Sequence, residues 1–274
     1  MRQLIIFSLL LISVFAGAQS FDVMTYNIRY DNPGDGINQW GKRKEKVYVL
    51  IQKYDPEIFG VQEALHHQLE DLKSNLPAYD YVGVGRDDGK QKGEYSAIFF
   101  KKERFTVKRS NTFWLSETPS VPGSKNWDAA ITRVATWAVF TDRENNKDFI
   151  LINTHFDHIG KEARAKSAEL LLTQANSIAK SAPLIITGDF NCTREDKPYQ
   201  VIMSQKPIAL QDPAPANPPG TFCNFQVNSI DCRPIDYIFS SLDWKVSDYK
   251  VITDNDGSNY PSDHLPVQVT FTLK

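Results

Sequence analysis

Apolar residues recur along this chain in two rhythms. Short period-two runs, bounded by Gly, Pro, Asn or Asp, predict strands at 22–27, 58–62, 79–84, 96–101, 133–140, 149–153, 184–187, 236–239, 246–252 and 267–273. Three helical patterns lie between them. Residues 44–54 place Val47, Leu50 and Ile51 on one face, 65–76 repeat Leu65, Leu69, Leu72 and Leu76, and 161–181 turn Ala163, Leu170, Leu171 and Ile178 inward. Strands in this number with interspersed helices predict an α/β protein in which sheet packs on sheet and helices cover the outer faces. The proline-rich stretch 213–219 is too short for a linker, so a single domain over 19–274 is expected.

The first residues follow another pattern. Arg2 precedes an apolar run, 4–15, that is short for a bilayer span, and Ala16-Gly17-Ala18 offers the small residues a signal peptidase requires. Residues 1–18 therefore read as a signal peptide cleaved before Gln19, leaving an exported protein, periplasmic or secreted, without stable membrane association. With 41% hydrophobic and 12% aromatic residues in 274, the remainder has material for a sizeable core. Lys and Arg number 31 against 33 Asp and Glu, so the chain lacks the basic surplus with which proteins grip long nucleic acid non-specifically. Cys192, Cys223 and Cys232 show neither C-x-x-C nor a zinc spacing. Cys223 and Cys232 flank a short loop and either pair in an oxidising compartment or remain thiols.

The candidate chemistry sits where predicted strands end. Asn27 closes the first run, Glu63 follows the second, Asp189 and Asn191 follow 184–187, and Asp263 and His264 precede the last strand. Strand ends of this kind converge on one edge of a sheet, a natural ligand site. Alternation along a strand predicts Asp189 and Asn191 on one side with Phe190 in the core, and likewise His155 and Asp157 around Phe156. Oxygen donors without a thiolate or histidine cluster favour Mg2+, or Mn2+, over Zn2+, and Glu63 and Asp263 supply the one or two carboxylates magnesium usually takes.

Six motifs occur in one order: Met24-Thr25-Tyr26-Asn27-Ile28-Arg29, Val61-Gln62-Glu63, Asn153-Thr154-His155-Phe156, Thr187-Gly188-Asp189-Phe190-Asn191, Ile235-Asp236-Tyr237-Ile238 and Ser262-Asp263-His264-Leu265-Pro266-Val267. The set resembles the endonuclease/exonuclease/phosphatase family over nearly all of 21–274, with closer likeness to a bacterial exported subgroup than to the nucleases. The resemblance implies a four-layered α/β/β/α sandwich of two mixed, mostly antiparallel sheets, acting as a monomer. It implies a metal-dependent hydrolase that attacks a phosphate ester with an activated water. Glu63 would be the principal metal ligand, with Asn27 alongside and Asp263 completing the shell. Asp189 would orient or deprotonate the water, Asn191 would help hold the phosphate or a second cation, and His155 and His264 would contact the scissile phosphate, with Asp236 bonded to His264. Arg133 matches a position where related proteins place a phosphate-contacting arginine, and Tyr95 one that faces the site. Trp40, Trp114 and Trp127 are candidates for stacking on a sugar or base.

The expected substrate is a phosphomonoester or phosphodiester of a small or glycan-like alcohol: a sugar phosphate, a nucleotide or, in a secreted nuclease, nucleic acid. A sphingomyelinase-like enzyme would need an exposed apolar hairpin, which the sequence does not offer. A binding protein that had lost catalysis would be expected to lack Glu63, Asp189 or His264, and all three are present.

Overall fold

The computed structural model describes residues 19–274, so the predicted signal peptide, 1–18, lies outside the described residues. In chain order the first half forms β1 (Ser20–Asn27), a 3-10 turn (Pro33–Asn38), α1 (Trp40–Tyr54), β2 (Ile58–Ala64), α2 (His66–Asn75), β3 (Tyr79–Val82), β4 (Tyr95–Lys101) and β5 (Phe105–Trp114). The second half forms β6 (Val134–Asp142), β7 (Lys147–His155), α3 (Lys161–Ala179), β8 (Leu184–Asp189), α4 (Lys197–Ile202), β9 (Leu210–Gln211), β10 (Asp236–Ser241), β11 (Trp244–Val251) and β12 (Val267–Leu273). They build two six-stranded sheets, ordered β11-β12-β1-β2-β4-β3 and β5-β6-β7-β8-β10-β9. Only β1–β2 and β7–β8 run parallel; the other pairs are antiparallel.

Alternation along the strands explains the layering. In β7, Phe149 and Leu151 enter the core between the sheets, while Ile150 and Ile152 enter the core beneath α3. In β1, Val23 joins the inter-sheet core and Met24 the one under α1 and α2. Three apolar cores thus separate four layers, an α/β/β/α sandwich. On the α3 side, Ala168, Leu171, Leu172 and Ala175 are fully or almost fully buried at helical spacing.

Two strands escaped the sequence pattern. β5 is an edge strand whose middle, Lys108-Arg109-Ser110-Asn111, is exposed or half-exposed, so pairing with β6, not alternation, defines it. β9 is only two residues long.

Near the site the inter-sheet core turns polar. Asn153 of β7 donates from Nδ2 to the Val61 and Ala97 carbonyls at 2.9 Å each, and its Oδ1 accepts from Gln62 Nε2 at 2.7 Å and Thr187 Oγ1 at 3.1 Å. Gly60 is required by this close approach: a Cβ there would lie 2.5 Å from Asn153 Oδ1. Asn153 is completely buried and spans both sheets, so Asn153→Ala strands several polar groups at once. A loss of about 3 kcal/mol in urea unfolding is expected; a loss below ~1 kcal/mol would mean the sheets do not depend on this tie.

Candidate active site

The register of the second sheet lines up its polar strand ends. His155, last in β7, is the parallel partner of Asp189, last in β8, and Asp189 is the antiparallel partner of Asp236, first in β10. The first sheet contributes Asn27 from the end of β1 and Glu63 from β2, and Asp263 and His264 enter from the turn before β12. All but Asn27 and Asp236 line one cavity of about 740 Å3. Asn27 is completely buried behind two of the lining residues, its Nδ2 donating to Asp189 Oδ2 at 3.0 Å and Glu63 Oε1 at 3.2 Å.

His264 lies between two carboxylates. Its Nδ1 is 2.8 Å from Asp236 Oδ2 and its Nε2 is 3.7 Å from Asp189 Oδ2. Burial opposes its charge, but Asp236 and then Asp189 outweigh burial, and His264 is pushed up to about 10. Asp189 is held well below the ordinary carboxylate range: burial opposes ionisation, and the His155 and His264 imidazoles overcome it. The site thus sets a buried imidazolium 3.7 Å from a carboxylate that stays ionised. The Asp236 contact at Nδ1 fixes the orientation of the His264 ring.

In the metal-free protein, His264 is expected to keep both ring protons at pH 8, where an ordinary histidine is neutral; nitrogen NMR of the ring reads this directly. A raised folded value means that the contribution to stability is complete below about 6.5 and drains away as pH climbs through about 10. A wild-type advantage over His264→Gln that stays constant across that interval would refute the assignment.

His155 is oriented differently. Arg133 Nη1 lies 2.8 Å from His155 Nδ1, and Nε2 faces both Asp189 Oδ2 at 3.2 Å and Asn191 Nδ2 at 3.1 Å. Arg133 is no surface residue: it is 5% exposed, and it also approaches Glu94 Oε2 at 3.5 Å.

Whether these residues suit a hard divalent cation can be judged from the donors. Glu63 and Asp263 both reach Arg29, at 3.7 and 3.8 Å, and burial, reinforced by Glu63, pushes Asp263 up to about 6. A buried carboxylate that resists ionisation is what a cation relieves, and Glu63 and Asp263, which share Arg29, both offer hard oxygen, so the pair fits Mg2+ or Mn2+. Asn27 turns its amide nitrogen, not its oxygen, toward Glu63; ligation by Asn27 would require the amide to rotate. A second grouping, Asp189, Asp236 and His264, has ligand atoms within 4.8 Å of one another. There the imidazole already donates to Asp236, which suits a hydrogen-bonded relay better than a cation.

Several expectations are corrected. Tyr95 does not face the cavity; its hydroxyl donates to the Lys90 carbonyl at 2.9 Å and lies 3.3 Å from His66 Nδ1. β8 stops at Asp189, so Asn191 reaches the cavity through a left-handed turn with φ 48° rather than by alternation. Asp157 lies beyond β7 and instead accepts the Ile159 and Gly160 N–H groups at 2.9 and 2.7 Å ahead of α3. Trp40 opens α1 and Trp114 closes β5, both buried, and none of the three candidate tryptophans lines the cavity.

Residues passed over as candidates also line the cavity, among them Arg29, Glu94, Phe222 and Arg233. Backbone strain marks the same place. Arg29, Glu63, Asn191, Asn224 and Phe225 all carry positive φ and all line the cavity, and Glu63 sits where the β2–β4 register shifts.

Comparison with known proteins agrees with this geometry. An endonuclease/exonuclease/phosphatase family structure from Bacteroides vulgatus superposes with a TM-score of 0.89 at 39% identity, covering 93% of this chain and 100% of that one. A mannosyl-6-phosphatase structure from Bacteroides thetaiotaomicron gives 0.86 at 40% identity, covering 92% and 100%. Nocturnin of Xenopus laevis is 24% identical over 93% of this chain and 73% of its own length. The chain spans 60% and 32% of the lengths of two mimivirus relatives. The model of the Endonuclease/Exonuclease/phosphatase family matches residues 24–264, and the chain belongs to that family of phosphoester-cleaving hydrolases.

Proposed function

We propose that the chain is an exported phosphomonoesterase that uses Mg2+ or Mn2+ to release phosphate from a small polyhydroxylated alcohol, a sugar phosphate. The observation that carries this reading is the shape of the cavity. About 740 Å3 is the volume of a small-molecule site, and its walls set the guanidinium groups of Arg29, Arg86, Arg133 and Arg164 among the carboxylates of Asp35, Glu63, Glu94 and Asp189. A compact bowl lined by charged groups of both signs suits a small phosphorylated polyol, whereas a nuclease needs an extended basic trough. Likeness to the mannosyl-6-phosphatase at 40% identity points the same way. Export is supported by the predicted leader and by the Cys223–Cys232 disulfide, which suits an oxidising compartment. Among the described residues no helix is long and apolar enough to cross a membrane.

Glu63 and Asp263 would hold the cation, which when bound lowers the pKa of a water and neutralises charge on the phosphoryl oxygens. Asp189 accepts the proton of the attacking water through Oδ2. His264 directs its positive charge at the phosphoryl oxygens as negative charge accumulates there, and Asp236 keeps the ring turned toward them. The Nδ2 amide of Asn191, which lies 3.1 Å from His155 Nε2, would donate to another phosphoryl oxygen.

Phosphate release should be measured with Mg2+, Mn2+ or EDTA on mannose 6-phosphate, glucose 6-phosphate, inositol phosphates and single-stranded DNA and RNA. The expected result is cation-dependent turnover of a hexose 6-phosphate with kcat/KM about 100-fold above any diester. Faster cleavage of nucleic acid would replace this reading with a nuclease, and turnover indifferent to EDTA would remove the cation.

A further inference from the structure

One wall of the cavity is loop 221–233, closed by the Cys223–Cys232 disulfide. Its backbone is bolted to the catalytic turn: Cys223 and Asn224 N–H donate to the Asp263 carbonyl at 2.8 and 3.0 Å, and Leu265 N–H donates to Thr221 O at 2.6 Å. Phe222 and Arg233 face each other across the neck of the loop, just outside the bonded cysteines. Each donates its N–H to the other's carbonyl, at 2.9 and 3.0 Å.

Two side chains leave that neck for the cavity. The half-buried Phe222 ring lies 4.9 Å from the His264 ring, and the Arg233 guanidinium lies 5.3 Å from the Phe222 ring, centre to centre. The other arginines of the cavity are committed: Arg29 to Asp35, Arg86 to Glu94, Arg133 to His155 and Arg164 to the Asp157 carbonyl. Arg233 is exposed, and among the described residues its side chain has neither an ion pair nor a hydrogen bond. An apolar ring cannot bind the phosphate itself. Placed beside His264, it is left to meet the organic part of the substrate beyond the ester oxygen.

We propose that Phe222 and Arg233 form the leaving-group subsite, in which Phe222 takes the C–H face of a pyranose ring and Arg233 donates to hydroxyls at its far edge. This rests on the phosphomonoesterase reading above. It makes the disulfide a device of specificity, because the bond pins the two recognition residues at a fixed separation.

Mannose 6-phosphate and ethyl phosphate both release a primary alcohol, so comparing them separates ring recognition from ester chemistry. Wild type is expected to prefer mannose 6-phosphate. Phe222→Ala should lower kcat/KM for it about tenfold, mainly through KM, and Arg233→Met about fivefold, with ethyl phosphate changed by less than about twofold. Phe222→Leu keeps the packing on His264 and should show the same selective loss even where the alanine variant folds poorly. Equal losses on both esters would make Phe222 a support of His264 and overturn the subsite, as would unchanged values for mannose 6-phosphate. A wild-type protein that hydrolyses neither ester defeats the phosphomonoesterase reading itself, a failure seen before any variant is made.

Discussion

Asp189→Asn is expected to leave the protein folded and to lower kcat by about 10^3-fold. Asparagine keeps the shape that Asp189 fills, including acceptance of the Asn191 N–H by Oδ1 at 2.9 Å. It loses the charge at Oδ2, which no longer takes the water's proton. It also removes one of the two carboxylates that hold His264 charged, so the alkaline limb of kcat/KM should move to lower pH. A purely structural role would move neither limb. A kcat within about tenfold of wild type, with an unshifted profile, would assign water activation to another group.

Glu63→Gln is expected to have a comparable effect by another route. The substitution keeps an oxygen for the Asn27 amide but removes one of the two anionic donors facing Arg29. Cation affinity should fall by about 100-fold, and turnover at low millimolar Mg2+ should fall with it and partly recover at higher concentration. The wild-type response to pH provides a second check. Asp263 is raised in the metal-free fold, so its contribution to metal-free stability is complete below about 3.8 and lost as pH rises through about 6. A cation that takes the proton's place should therefore raise the melting temperature more at pH 7.5 than at pH 5, and this difference should shrink in Glu63→Gln. Thermal shifts that are identical at the two pH values would exclude Asp263 from the cation site.

Each strand predicted from apolar alternation is present, within a few residues at its ends. The reason is physical: strands buried on one or both faces must declare themselves in side chains, as Phe149 to Ile152 do by feeding two cores in turn. The exposed middle of β5 makes no such declaration. The same contrast runs through the site. Asn27, Glu63, His155, Asp189, Asp236, Asp263 and His264 sit at or just beyond strand ends, so a one-dimensional reading can propose them together. Phe222 and Arg233 belong to an irregular loop, and their nearness to His264 depends on where a disulfide and a few backbone bonds hold that loop. Tyr95 opens β4, but its direction depends on contacts with Lys90 and His66 that no periodicity encodes. The positive φ at Glu63 was equally hidden, because glutamate carries no signal for a left-handed backbone.

Asn27 and Glu63 belong to one sheet and His155, Asp189 and Asp236 to the other, and Asn153 ties the two together directly below. Neither half of the molecule carries a usable fragment of the chemistry. Turnover would therefore be a sensor of docking: a nascent or partly opened chain with one well-formed sheet would hydrolyse nothing, and a slight slip at the seam would silence the enzyme while most of its secondary structure remained.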